Sequence, residues 1–157
     1  MTPLMTIIQH QMAGNHCFGC SPDNPHGHHI QSHWDGECAT CTFAPQPWHC
    51  AGSPNFVYGG LIASVIDCHS ICTAIADAYQ RGGRAIGSGE GILYVTGRLD
   101  INYLAAAPIA GPLQLQARVT EASARKSLVS CDLRVGDTLC AQAAVVAVKV
   151  PASWGDA

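Results

Sequence analysis

The sequence predicts an α+β domain in which a long antiparallel sheet wraps one central buried helix. Three observations predict it. The segment from Gly59 to Gln80 (GGLIASVIDCHSICTAIADAYQ) is apolar on nearly every side instead of along one stripe, as a helix buried on most faces must be. From Gly91 onward the pattern changes to long strand-like runs separated by glycine-containing turns. The chain has 157 residues and is 48% hydrophobic, enough for one core and too short for two ordinary domains. Residues 1–157 are therefore read as a single domain, with 1–27 an irregular lead-in and 151–157 a tail.

Each element has its own local reason. Residues 14–29 (GNHCFGCSPDNPHGHH) are rich in Gly, Pro, Asn and His, which favour turns. Two short strands follow near His29 to Trp34 and Glu37 to Phe43, with Asp35-Gly36 as the hairpin turn between them. The run Pro45 to Pro54 breaks regular structure, and Asn55 to Tyr58 leads into the helix, which stops before Gly82-Gly83. Four strands are predicted beyond it: Ile92 to Leu104, Pro112 to Ala122, Ser127 to Val135 and Thr138 to Val150. Gly111-Pro112 and Gly136-Asp137 punctuate them, and the last three are close enough in sequence for an antiparallel meander.

Composition excludes several classes of function. A formal charge of −3 with 12% charged residues does not suit a nucleic-acid surface. Low charge together with many Ala, Val and Ile residues predicts that surface is buried against another subunit. Nine cysteines without a recognisable secretory signal point to a reducing compartment, so a cytoplasmic location is expected. No apolar window of membrane-spanning length avoids Asp67, His69 or a glycine pair, so no membrane partner is expected.

Asp67 is the most informative residue. A carboxylate in the middle of an apolar helix is costly unless it is paired, hydrated or used. Its helical neighbours Gly60, Ala63, Ser64, Ser70, Ile71 and Ala74 are mostly small, which predicts a slot beside it for an extended substrate. The alternative is a carboxylate that caps a neighbouring loop. Tyr58-Gly59-Gly60 opens the same helix, where unpaired N–H groups can hold a carbonyl oxygen as it gains charge. Eight residues separate Gly59 from Asp67, about 12 Å along one helix. One chain cannot bring both to one carbon, but two helices packed antiparallel across a two-fold axis can.

The segments HCFGCSPDNPHG (His16 to Gly27), YGGLIASVID (Tyr58 to Asp67) and LDINYLAAAP (Leu99 to Pro108) together resemble the hotdog-fold thioesterases of the phenylacetyl-CoA thioesterase type. The likeness runs from about residue 16 to 150. It implies a hotdog fold, a homodimer or homotetramer, and hydrolysis of a small or medium acyl- or aryl-CoA without a cofactor. By the same resemblance Gly59 N–H polarises the thioester carbonyl, Asp67 of the partner subunit activates water or attacks directly, and Thr96 lies near the catalytic water. Asn55, Tyr58, Gly60 and Ser64 are the candidate substrate contacts, and Arg125 and Lys126 the candidates for the coenzyme A phosphates. Arg118 is a further basic candidate, with Arg81 and Arg84 weaker ones. The chain departs from the pattern at Tyr58, where the family carries His, and at Cys68-His69 after the aspartate.

The cysteines raise a rival reading. Cys17-x2-Cys20 and Cys38-x2-Cys41 have the spacing of a four-cysteine zinc site. Cys38 and Cys41 fall in a predicted strand, however, where an odd offset points them to opposite faces. A second set combines Cys17 and Cys20 with His16, His26 or His28, while Cys68 and Cys72 read as packing residues of the helix. No metal is expected to be needed for folding. The competing functions are a non-catalytic acyl-CoA-binding or zinc-stabilised hotdog module and a hotdog enoyl-CoA hydratase or dehydratase.

Overall fold

Seven antiparallel strands form one sheet in the order β1-β2-β3-β5-β6-β7-β4, curled around a single long helix. The computed structural model describes residues 5–156. The strands are β1 (Thr6–Ile7), β2 (His33–Trp34), β3 (Ala39–Phe43), β4 (Leu93–Tyr103), β5 (Leu113–Ala122), β6 (Lys126–Val135) and β7 (Thr138–Val150), and helix α1 spans Gly59–Arg81. Short 3-10 turns occupy Ile8–Gln11, Pro47–His49 and Ala152–Asp156. This is the hotdog architecture expected from the sequence.

The strands alternate as a half-covered sheet requires. In β5, Leu113, Leu115 and Ala117 are buried while Gln114, Gln116 and Arg118 are exposed. In β7, Ala141, Ala143, Val145 and Ala147 face the helix. Small residues there let α1 lie close to the sheet, against its own buried Val65, Ile66, Ala74 and Ile75. By length and hydropathy α1 could cross a membrane, yet 61% of its apolar window is buried inside the fold. The β2–β3 turn is Asp35-Gly36, with Gly36 at φ +103° and Asp35 Oδ1 accepting the Glu37 and Cys38 N–H groups at 2.8 and 2.7 Å. Those backbone donors, Cys38 first, hold the Asp35 carboxyl below its ordinary range.

The lead-in is more ordered than its composition predicts. It contributes edge strand β1 and the fully buried Ile8 and Gln9. Strand β4 carries the other departure from simple alternation. Its pairing with β7 shifts between Thr96 and Arg98, leaving Gly97 as the extra residue. A Cβ at Gly97 would come within 2.6 Å of Val148 Cγ2. The bulge changes which residues face inward: Thr96 pairs with Ala147 before it, and Leu99, Ile101 and Tyr103 pair with Val145, Ala143 and Ala141 after it.

Candidate active site

Thr96, in the last paired row before the bulge, faces the helix, where its hydroxyl donates to Asp67 Oδ1 at 2.5 Å. Two residues singled out separately from the sequence thus meet, 29 positions apart, between α1 and the edge strand β4. Asp67 is half-buried, and Thr96 and most of β4 beyond it are exposed. A carboxylate has about four acceptor positions, so the threonine leaves most of them free for a water or a substrate group. Ser70 and Ala74, which helical spacing places beside Asp67, are instead fully buried against the sheet. The Ser64 hydroxyl bonds back to Gly60 O at 3.0 Å, which ties it to the helix instead of the slot.

The helix entrance lies two turns away. Tyr58 is the N-cap residue at φ −60°, ψ 130°, and its own N–H is bonded to His49 O at 2.9 Å. The first-turn N–H groups of Gly59 and Gly60 have no acceptor within the helix, and they point to where a negatively charged atom is stabilised. The Tyr58 ring lies over Gly60, in the space a side chain there would need. Tyr103, on the inner face of β4 after the bulge, donates its hydroxyl to Gly59 O at 2.8 Å. Burial, with Tyr58 close by, pushes the Tyr103 phenol above its ordinary value. Sequence reasoning missed this contact because Thr96 and Tyr103 are seven residues apart, an odd offset that puts them on opposite faces of a regular strand. The isolated Gly97 inside the strand was the available signal. Asn55 sits in the adjoining loop, where its carbonyl accepts Ile109 N–H at 2.9 Å and its side chain is exposed.

Arg125 and Lys126 lie at the tip of the β5–β6 hairpin, exposed and without a salt bridge among the described residues. They share the end of the sheet that carries Thr96: Lys126 pairs with Val148 and Val148 with Val95, so about 10 Å of sheet separates Lys126 from Val95. Ser127, Ala147 and Thr96 form the next row, and Ser127 Oγ is buried there without a hydrogen-bond partner. The other basic candidates are placed differently. Arg81 pairs with Asp77 at 2.7 Å, Arg84 lies over the Tyr79 ring and bonds the Ser88 and Glu90 carbonyls, and Arg118 is on the outer face of β5.

Two polar features flank Asp67 on α1. His69 is fully buried, with its Nε2 bonded to Ala39 O at 3.0 Å and its Nδ1 to Ser32 Oγ at 2.8 Å, and burial pushes it down to about 4. Cys68 turns towards the lead-in, where its Sγ lies 3.8 Å from that of Cys17, with Cys20 beside both. The neighbouring thiols, Cys17 first and then Cys68 and Cys72, favour the thiolate form of Cys20 and lower it from its ordinary value. Neither thiol set weighed from the sequence is formed among the described residues: Cys17 and Cys20 meet Cys68 of the helix, not Cys38, Cys41 or a histidine.

Comparison with known proteins places this architecture. Residues 54–142, which include Asp67 and Thr96, match the thioesterase superfamily. Acyl-coenzyme A thioesterase THEM4 of Rattus norvegicus is 30% identical over 104 residues, 65% of this chain and 39% of that protein, so the chain spans about two fifths of its length. A thioesterase superfamily protein from Shewanella loihica is 38% identical, with a TM-score of 0.65 over 88% of this chain and 97% of that one. A thioesterase from Haemophilus influenzae, 12% identical, superposes with a TM-score of 0.65 over 78% of this chain and 79% of its own, a likeness of fold alone. With the matched segment covering the helix, the bulged strand and most of the sheet, the chain belongs to the thioesterase superfamily.

Proposed function

We propose that the protein is an acyl-CoA thioesterase acting on a small or medium acyl or aryl group, with each site completed by two subunits. The observation that carries this reading is the Thr96 to Asp67 hydrogen bond beside an exposed edge strand. It fixes the carboxylate in one orientation and leaves acceptor positions for the attacking water. Thr96 Oγ1, whose own hydrogen is directed at Asp67 in that hydrogen bond, can accept one hydrogen of the water while the carboxylate accepts the other.

In this mechanism Asp67 takes a proton from the water as its oxygen bonds to the thioester carbon. The partner subunit's Gly59 donates its N–H to the oxyanion that forms. Collapse breaks the carbon–sulfur bond, and the departing thiolate takes the proton back from Asp67, giving the acid and free coenzyme A. Asn55, Tyr58 and Gly60 frame the acyl entrance, and Arg125 with Lys126 supplies positive charge for the phosphates of the nucleotide end. A phenol in place of the family imidazole at position 58 narrows the entrance over Gly60, which sets acyl preference. The reading of the phenylacetyl type rests on the three sequence segments alone. Thiol release over a panel of short, medium and aromatic acyl-CoA esters tests the reading: turnover of at least one ester, lost in Asp67→Asn, supports it. Equal release by both proteins on every ester contradicts it.

A further inference from the structure

We propose that Cys17, Cys20, Cys68 and Cys72 bind one zinc ion that fastens the lead-in to the helix beside Asp67. The thiols of Cys17, Cys20 and Cys68 all lie within 4.8 Å of one another. Cys17 and Cys68 are 3.8 Å apart. Four sulfurs placed tetrahedrally at the usual zinc–sulfur length have edges of about 3.8 Å, so that spacing is already the one a zinc ion requires. Cys72 follows Cys68 by one helical turn, on the same face, and is buried beside that triangle of thiols without being part of it; it supplies the fourth sulfur by turning its side chain towards the other three. The donor set is thus two chelating pairs, Cys17-x2-Cys20 from a turn and Cys68-x3-Cys72 from a helix.

The surrounding residues are shaped for this arrangement. A Cβ at Gly19 would occupy the place of Cys68 Sγ, so the glycine between the two lead-in cysteines admits the helix thiol. Asn15 holds the turn from both ends, accepting Cys17 N–H at 3.1 Å and donating Nδ2 to Cys20 Sγ at 3.8 Å. Cys20 and Cys72 are buried while Cys17 is exposed, which gives an ion a way in. Thiolates alone select zinc over hard ions such as magnesium or calcium, and four of them make a closed, structural site. Binding releases the thiol protons as the zinc–sulfur bonds form and involves no oxidation. The proposal revises the expectation that no metal is needed for folding, and it depends on no step of the hydrolytic reading.

The test is metal content of the full-length protein expressed with zinc and purified under reducing conditions. The expected result is about one zinc per chain, with the four thiols alkylated only after a chelator is added. Cys17→Ser, at an exposed position, and Cys68→Ser should each lower retained zinc at least tenfold, while Cys50→Ser, outside the cluster, retains it. Cobalt(II) in place of zinc should give the visible absorption of a tetrahedral thiolate site, lost in Cys17→Ser. Zinc-free protein with Cys17 and Cys68 freely alkylated would overturn the proposal, as would zinc-free protein with a Cys17–Cys68 disulfide. Retention of zinc by both cluster variants would overturn it as well.

Discussion

Asp67 and His69 stand two residues apart on one helix, on faces that treat a polar side chain in opposite ways. The His69 face is closed: its ring bonds Ser32 and Ala39, Ser32 in turn accepts Gln9 Nε2 at 3.0 Å, and all of these groups are buried. Every hydrogen-bonding position of that imidazole is used, so it holds the lead-in, β3 and α1 together and has nothing left for a ligand. The Asp67 face is open, with a single hydroxyl partner and an edge strand exposed beside it. A titratable group that the fold leaves under-used at an opening is where chemistry is to be sought.

Exchanging the polar groups tests that contrast. Asp67→Asn is nearly isosteric and should lower kcat by about two to four orders of magnitude, the usual cost of losing a general base, with no change in melting temperature. A fall in melting temperature together with activity would make Asp67 a structural cap. Gly59→Pro should cost about two to three orders of magnitude in kcat, because it deletes one oxyanion donor while proline is well tolerated at the first helical position. Tyr58 already has the extended backbone a following proline needs, and circular dichroism should show the helix intact.

His69→Leu should do the reverse on the closed face. It removes two buried hydrogen bonds, those of the ring to Ala39 O and to Ser32 Oγ, and costs about 2–3 kcal/mol, seen as a melting temperature lower by about 5–10 °C, with kcat of the folded protein little changed. Thr96→Val has the smallest expected effect, a loss in kcat of about tenfold, since Asp67 keeps its charge and loses only the hydroxyl that orients it. A larger loss from Thr96→Val than from Asp67→Asn would move the central role to the threonine.

The open face was legible in the sequence and the closed one was not. Asp67 stands out as a charge in an apolar helix, and the boundaries of α1 and of β4 to β7 follow from local glycines and apolar runs. The Gln9–Ser32–His69 network joins three distant segments, and nothing local in a lone histidine or an N-terminal glutamine announces it. Strand β1 escaped notice because two residues carry no period. The Gly97 bulge hid the Tyr103 to Gly59 contact by reversing the alternation midway along β4. The thiol cluster was obscured in a similar way: two C-x2-C pairs competed for attention, while the fold joins one of them to Cys68, which helix periodicity alone reads as core.

The central claim is that Asp67 of one subunit works with the partner subunit's Gly59, and mixing two inactive proteins tests it most directly. Asp67→Asn and Gly59→Pro chains, unfolded together and refolded as mixed dimers, should regain activity, because each mixed dimer contains one site with both groups intact. Random pairing makes half the dimers mixed, so recovery to about a quarter of the wild-type rate is predicted. If Asp67 and Gly59 served one site within a single chain, the mixture would show only the average of the two inactive proteins, and that result would contradict the account.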